Sequence, residues 1–172
     1  MIRHKSCFIL TMVISTFLSL DVEAFKGSQE QVIPILGITM ENKPIGTVAN
    51  ILLSFQERDD YDGLIVQFRS APGRFSRMAQ TAVQQGIYRA ARAAGMKPDS
   101  WTVILSVPYP GVTIYGDSLS AMISVSILAM AKGESILADR VITGAVSPDG
   151  HIAPVDIRPI PRLRRPRSYR AW

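Results

Sequence analysis

Branched apolar residues fall into short blocks along this chain, and the spacing within each block predicts its element. Val32–Met40 is rich in Val, Ile and Leu and predicts a strand. Asn42–Pro44 is a turn sequence and Gly46–Phe55 a second strand, so the two are expected to form a hairpin. Glu57–Asp62 is a charged turn. Leu64–Phe68 predicts a short buried strand, broken by Ala71-Pro72-Gly73.

From Ser76 to Ala94 the period changes. Met78, Val83, Ile87, Ala90, Ala91 and Ala94 recur at helical spacing, with Arg77, Gln84, Gln85, Arg89 and Arg92 between them. Ser76 is placed to cap this helix, and Gly95 and Pro98 to stop it. Trp101–Val107 predicts another buried strand, and Pro108–Gly116 a loop. Asp117–Lys132 predicts a second helix, capped by Asp117 and ended by Gly133. It is apolar nearly all round (Leu119, Met122, Ile123, Val125, Ile127, Leu128, Met130), so it should be central and buried. Asp139–Val146 and His151–Val155 are expected as strands joined by the turn Ser147-Pro148-Asp149-Gly150. Mixed strands and helices with a hairpin at each end predict an α/β or α+β domain of two layers.

Charge and composition refine this picture at the two ends. The chain has 172 residues, 47% apolar and 19% charged, which suits one domain with an ordinary core. Its net charge of +5 is misplaced: six Arg (158, 162, 164, 165, 167 and 170) sit in residues 157–172, and residues 1–156 sum to −1. Residues 156–172 carry no sustained period and are expected to be a disordered Arg/Pro-rich tail. A basic tail with a neutral body argues against a nucleic-acid-binding face. At the other end, Arg3, His4 and Lys5 precede the apolar run Cys7–Leu20, followed by Val22-Glu23-Ala24. That is the pattern of a secretory signal peptide over residues 1–24, leaving a domain over residues 25–155. The run is short of the ~20 residues a spanning helix needs, so contact with a membrane is expected only through this segment if it stays uncleaved. Export to the periplasm or the extracellular space is the expected location.

Few residues are left for chemistry. Cys7, the one cysteine, lies in the signal segment, and His151 is the one histidine beyond it. No disulfide, thiol nucleophile, metal site or cofactor is therefore expected. No G-x-x-x-x-G-K-S/T occurs, so the chain has no P-loop for ATP. The suggestive stretch is Tyr115–Met122, where a Gly/Pro loop enters the buried helix and Ser120 falls in its first turn. Free backbone N–H groups and the positive helix end gather there and can stabilise an oxyanion beside a nucleophilic serine. Helix capping by Ser118 and Ser120 is the plainer alternative.

Three motifs in order carry a resemblance. GDSLSAMISVSILAMAKG, followed by ADRVITGAVSPDGHIAPV, resembles the proteolytic domain of the Lon protease family. That family has a D-G-P-S-A-G stretch opening a helix, then a T-G-x-I/V strand, a short turn ending in Gly, and an I/V-x-P-I/V strand. Asp117, Ser120 and Ala121 match the first, with Ser118-Leu119 in place of Gly-Pro and Met122 in place of Gly. Thr143, Gly144 and Val146 match the second, and Gly150, Ile152, Pro154 and Val155 the third. PILGITMENKPIGTVANILLSF is similar to the opening hairpin of the stand-alone exported members, so the likeness covers roughly residues 31–155. It implies an ATP-independent serine endopeptidase acting on proteins or peptides, with homo-oligomerisation left open. Ser120 would be the nucleophile and Thr143 a supporting hydroxyl, unless Thr143 is an ordinary strand threonine. A neutral lysine would take the proton of the serine hydroxyl, and water would then hydrolyse the acyl-enzyme.

The lysine is where the resemblance fails. The family keeps it in a G-G-x-x-x-K segment after the third motif, which falls near Pro161 here. This chain reads Asp156-Ile157-Arg158-Pro159-Ile160-Pro161, with no lysine after Lys132. Lys132 is twelve helical residues from Ser120, about 18 Å. Arg158 and Arg162 stay protonated near neutral pH. His151 is a chemically possible base, but on a turn expected to face solvent. Loss of the lysine predicts an impaired peptidase, and the change after Val155 is the expected mark of a truncation or a shifted reading frame. The rival expectation is a Lon-like module that binds without cleaving.

Overall fold

The computed structural model describes residues 27–39, 45–137 and 140–155. The expected signal segment, with Cys7, the turn Asn42–Pro44 and the Arg/Pro tail lie outside these residues. Strands β1 (Gln29–Ile38) and β2 (Gly46–Glu57) form an antiparallel hairpin in which Ile33 faces Ile51 and Val32 faces Leu52. Side chains alternate across a strand, so this register puts Ile33, Ile35, Ile51, Leu53 and Phe55 on one buried face. Val32, Leu36, Ile38 and Val48 are exposed on the other.

Two more strands complete the sheet. β5 (Trp101–Ser106) runs antiparallel beside β2, and β3 (Ile65–Phe68) runs parallel beside β5, giving the order β1-β2-β5-β3. Parallel neighbours need a long crossover, and here it contains the first helix. β5 is buried through Trp101, Val103 and Leu105, and the Trp101 indole meets the Phe55 ring edge-on, centroids 5.5 Å apart.

α1 (Arg77–Ala93) and α2 (Ser120–Ala131) pack on each other and share one core with the sheet. Ser76 caps α1 through its hydroxyl, which accepts from Ala79 N at 3.2 Å. Both helices end alike. Gly95 and Gly133 take left-handed φ of 71° and 69°. Met96 N then reaches back to Ala91 O, and Glu134 N to Ala129 O, so orphan carbonyls are satisfied. α2 is buried, but it starts three residues later than the expected Asp117. The Asp117 side chain is not a cap; its carbonyl accepts from Ser120 N at 2.9 Å instead. The fold is α+β.

Two local features depart from the pattern expected of the sequence, and a third gains an unexpected organiser. β4 (Arg74–Phe75) pairs parallel with β6 (Thr113–Ile114), inside what was expected to be loop. Among the described residues of the expected strands Asp139–Val146 and His151–Val155, only β7 (Ala145–Val146) and β8 (Ile152–Ala153) pair as strands; Asp139 lies outside the described residues. The charged turn after β2 is organised from within by Arg58. Its Nε donates to Asp60 Oδ1, Nη1 to Trp101 O and Thr102 Oγ1, and Nη2 to Gly63 O and Asp99 O, all at 2.7–3.2 Å. One planar guanidinium thus ties the end of β2 to the start of β5.

Candidate functional site

Ser120 is the first residue of α2 and is only 1% exposed. The loop before it lies against the strand that carries the second motif. Gly144 N donates to Ser118 O at 2.9 Å, and Ala121 N donates to Gly144 O at 3.1 Å. Between them, Val146 N donates to Ser120 Oγ at 3.3 Å. Residues 118–121 and 144–146 are therefore clasped through backbone groups that a helix start would otherwise leave unpaired.

Gly144 has a steric reason to be glycine. Its φ is 153°, and a methyl group there would lie 2.7 Å from Ile152 Cγ2 and 2.9 Å from Ala153 O. A side chain would push β8 away and loosen the clasp. Thr143 stands one position before Gly144 and is exposed. The fold thus brings the Thr143–Gly144 backbone beside Ser120, while the threonine side chain faces outward.

On its inner side Ser120 faces α1. A methyl group built on Gly86 would sit 3.1 Å from Ser120 Cβ and 2.9 Å from Ser124 Oγ. The two helices touch at this glycine, so Ser120 and Ser124, one turn apart, lie in a tight seam. Ser124 Oγ is buried and, among the described residues, without a hydrogen-bond partner. Gly86 was legible only indirectly: glycine inside a helical pattern costs about 1 kcal/mol against alanine and so points to close packing. Arg89, one turn further on, donates from Nη1 to Val146 O at 2.9 Å and from Nη2 to Gln85 Oε1 at 3.2 Å. In the sequence it is one of the polar residues lying between the apolar positions of the helix.

The ionisable candidates among the described residues are elsewhere; Arg158 and Arg162 lie outside them. Lys132 is the C-cap of α2, at the opposite end from Ser120. The His151 side chain is 82% exposed and pairs with Asp149, Nδ1 to Oδ2 3.0 Å. The Asp149 carboxyl is held below its ordinary range, first by the Ser147 hydroxyl donating to it, then by the Asp149 and His151 amides and the imidazole. Asp117 lines a shallow, open depression with Arg77, Met78, Thr81, Ala82 and Gln85, beside the entrance to α2. Among the described residues the serine's hydrogen-bond partner is thus a peptide N–H and not a base, and a general base must accept its proton if it is to attack a carbonyl.

Among the described residues no three His, Cys, Asp or Glu side chains gather into a metal-binding set. Among them, too, no helix is long and apolar enough to cross a membrane. No family model and no curated protein matches the chain.

Proposed function

We propose that this chain has the framework of a Lon-like serine endopeptidase, exported and independent of ATP, whose catalysis is impaired by the missing lysine. The observation that carries this reading is the clasp between Ser118–Ala121 and Gly144–Val146. Two motifs more than twenty residues apart, noted for their order alone, meet at one serine. A helix start beside that serine offers the partial positive charge that an oxyanion needs. Among the described residues the arrangement brings no proton acceptor to the serine. General-base assistance is worth about 10²–10⁴-fold, so a serine without it is expected to be nearly inert.

A second reading has its own support. Burial of Ser120 to 1% exposure and the engagement of its hydroxyl by Val146 N suit a structural serine in a Lon-like module that binds proteins or peptides without cutting them.

The deciding assay follows hydrolysis of an unfolded protein by the purified chain and by Ser120→Ala. Both should stay at background. A version carrying a G-G-x-x-x-K segment after Val155 should then gain cleavage that Ser120→Ala abolishes. If that version folds and remains inert, the binding-module reading replaces the peptidase one. Robust cleavage by the chain as it stands, lost in Ser120→Ala, would show that another group serves as base, with His151 the first to test.

A further inference from the structure

We propose that the β7–β8 hairpin is a strap that shuts over Ser120 and must swing away before the hydroxyl can meet any acyl donor. The regulatory meaning rests on the Ser120 reading above; the motion itself does not. Three observations carry it. Ser120 Oγ is covered, with the strap's own Val146 N–H bonded to it, so the group proposed to react is occupied by the element that hides it.

The strap is also thinly attached. β7 and β8 pair over two residues each and, among the described residues, belong to no other sheet. Val146 buries itself in a small cluster with Ala90 and Ala121, joined to the main core through the partly buried Leu128 and Ile142. An element with few buried apolar partners opens at lower free energy than the core. Opening would release the clasp at Ser118–Ala121 without breaking a pair of the four-stranded sheet.

Finally, the strap has a latch on α1. Arg89 Nη1 holds Val146 O at 2.9 Å. One turn along, the hairpin's turn rests on the helix: a side chain at Gly150 would collide with Ala93 and come within 3.1 Å of Arg89 O. Arg89 therefore grips, through its carbonyl, the same residue whose amide covers the serine. It acts through Val146, as a positioning residue.

Thiol accessibility tests this without any need for hydrolysis. In the full chain with Cys7→Ser, Ser120→Cys is reacted with a maleimide, and Ser126→Cys serves as a control. Ser126 is fully buried in the same helix and bonds Met122 O, away from the strap. The thiol introduced by Ser120→Cys should label slowly. Adding Arg89→Met should speed it about tenfold or more, the effect of losing one hydrogen bond from a charged donor. The labelling rate of the Ser126→Cys control should stay unchanged. In the unaltered chain, the Gly144, Val146 and Ser147 amides should exchange with solvent together and faster than those of Leu53 and Val103. Rapid labelling of Ser120→Cys with Arg89 in place would mean that no strap closes the site. Equal acceleration of the control, or strap amides as slow as the sheet, would mean that the hairpin moves only with the whole domain, and either result overturns the proposal. A strap that opens over a serine that stays inert even in the version carrying the G-G-x-x-x-K segment would retire the peptidase reading and leave the motion standing.

Discussion

Val146 N donates to Ser120 Oγ at 3.3 Å, across 26 positions of sequence, and this one bond joins the start of α2 to the closing hairpin. Its loss should be measurable. Ser120→Ala leaves a buried amide without an acceptor and should cost about 1–3 kcal/mol. Ser124→Ala, one turn away, removes a hydroxyl that has no partner among the described residues and should be neutral or slightly stabilising. Urea unfolding of the two variants tests the contrast; equal losses would show that the Val146 bond contributes nothing.

Gly86 should tolerate no large side chain. Gly86→Leu would drive the substituent into Ser120 and Ser124 and separate α1 from α2. Overpacking of this kind typically costs about 1–3 kcal/mol, more than the ~1 kcal/mol gained by removing a helical glycine. The denaturation midpoint should fall, and Val146 should become more exposed as the seam widens.

Arg58 should be irreplaceable by lysine. All five of its N–H donors are used, three of the acceptors being main-chain carbonyls that join the turn at Gly63 and the start of β5 to the end of β2. An ammonium group cannot match that fork. Arg58→Lys is expected to lose about 2–4 kcal/mol, the cost of several part-buried acceptors left unmet. A midpoint within error of the parent would contradict this account of the turn.

Asp149 should titrate below its ordinary value of 3.8. Because its folded pKa is depressed, its support of the hairpin turn is present above 3.8 and is lost as pH falls through the folded value. Ser147→Ala removes the largest cause and should move the Asp149 midpoint upward in a carboxyl NMR titration. A midpoint that does not move would assign the depression to the backbone amides and His151 instead.

Much of this architecture was legible because local rules and the final fold agree. Ser76 caps α1, Gly95 and Gly133 end the helices, and the apolar surround of α2 marks it as buried; each depends on residues within a turn or two of one another. The β1–β2 hairpin follows from two apolar runs of similar length. Where expectation and structure part, a partner distant in sequence decided. Asp117 looks like a cap, but its loop is held by Gly144, so α2 starts at Ser120 and the carboxylate turns to the surface. Arg58 is one charge in a turn and Arg89 one polar residue in a helix until the strands that supply their carbonyl acceptors are folded around them.

By itself, then, the sequence determined the α+β character, the two helices with their C-terminal stops and the cap of α1, and Ser120 as the residue to examine. Spacing along the chain dictates periodicity and capping, and these are short-range effects. Only the tertiary structure decided that Thr143 faces outward, that Gly86 is the point where α1 meets α2, and that Ser120 is covered by the hairpin carrying Val146. Burial and hydrogen-bond partnership are set by which surfaces pack together, and no local pattern of residues encodes that choice.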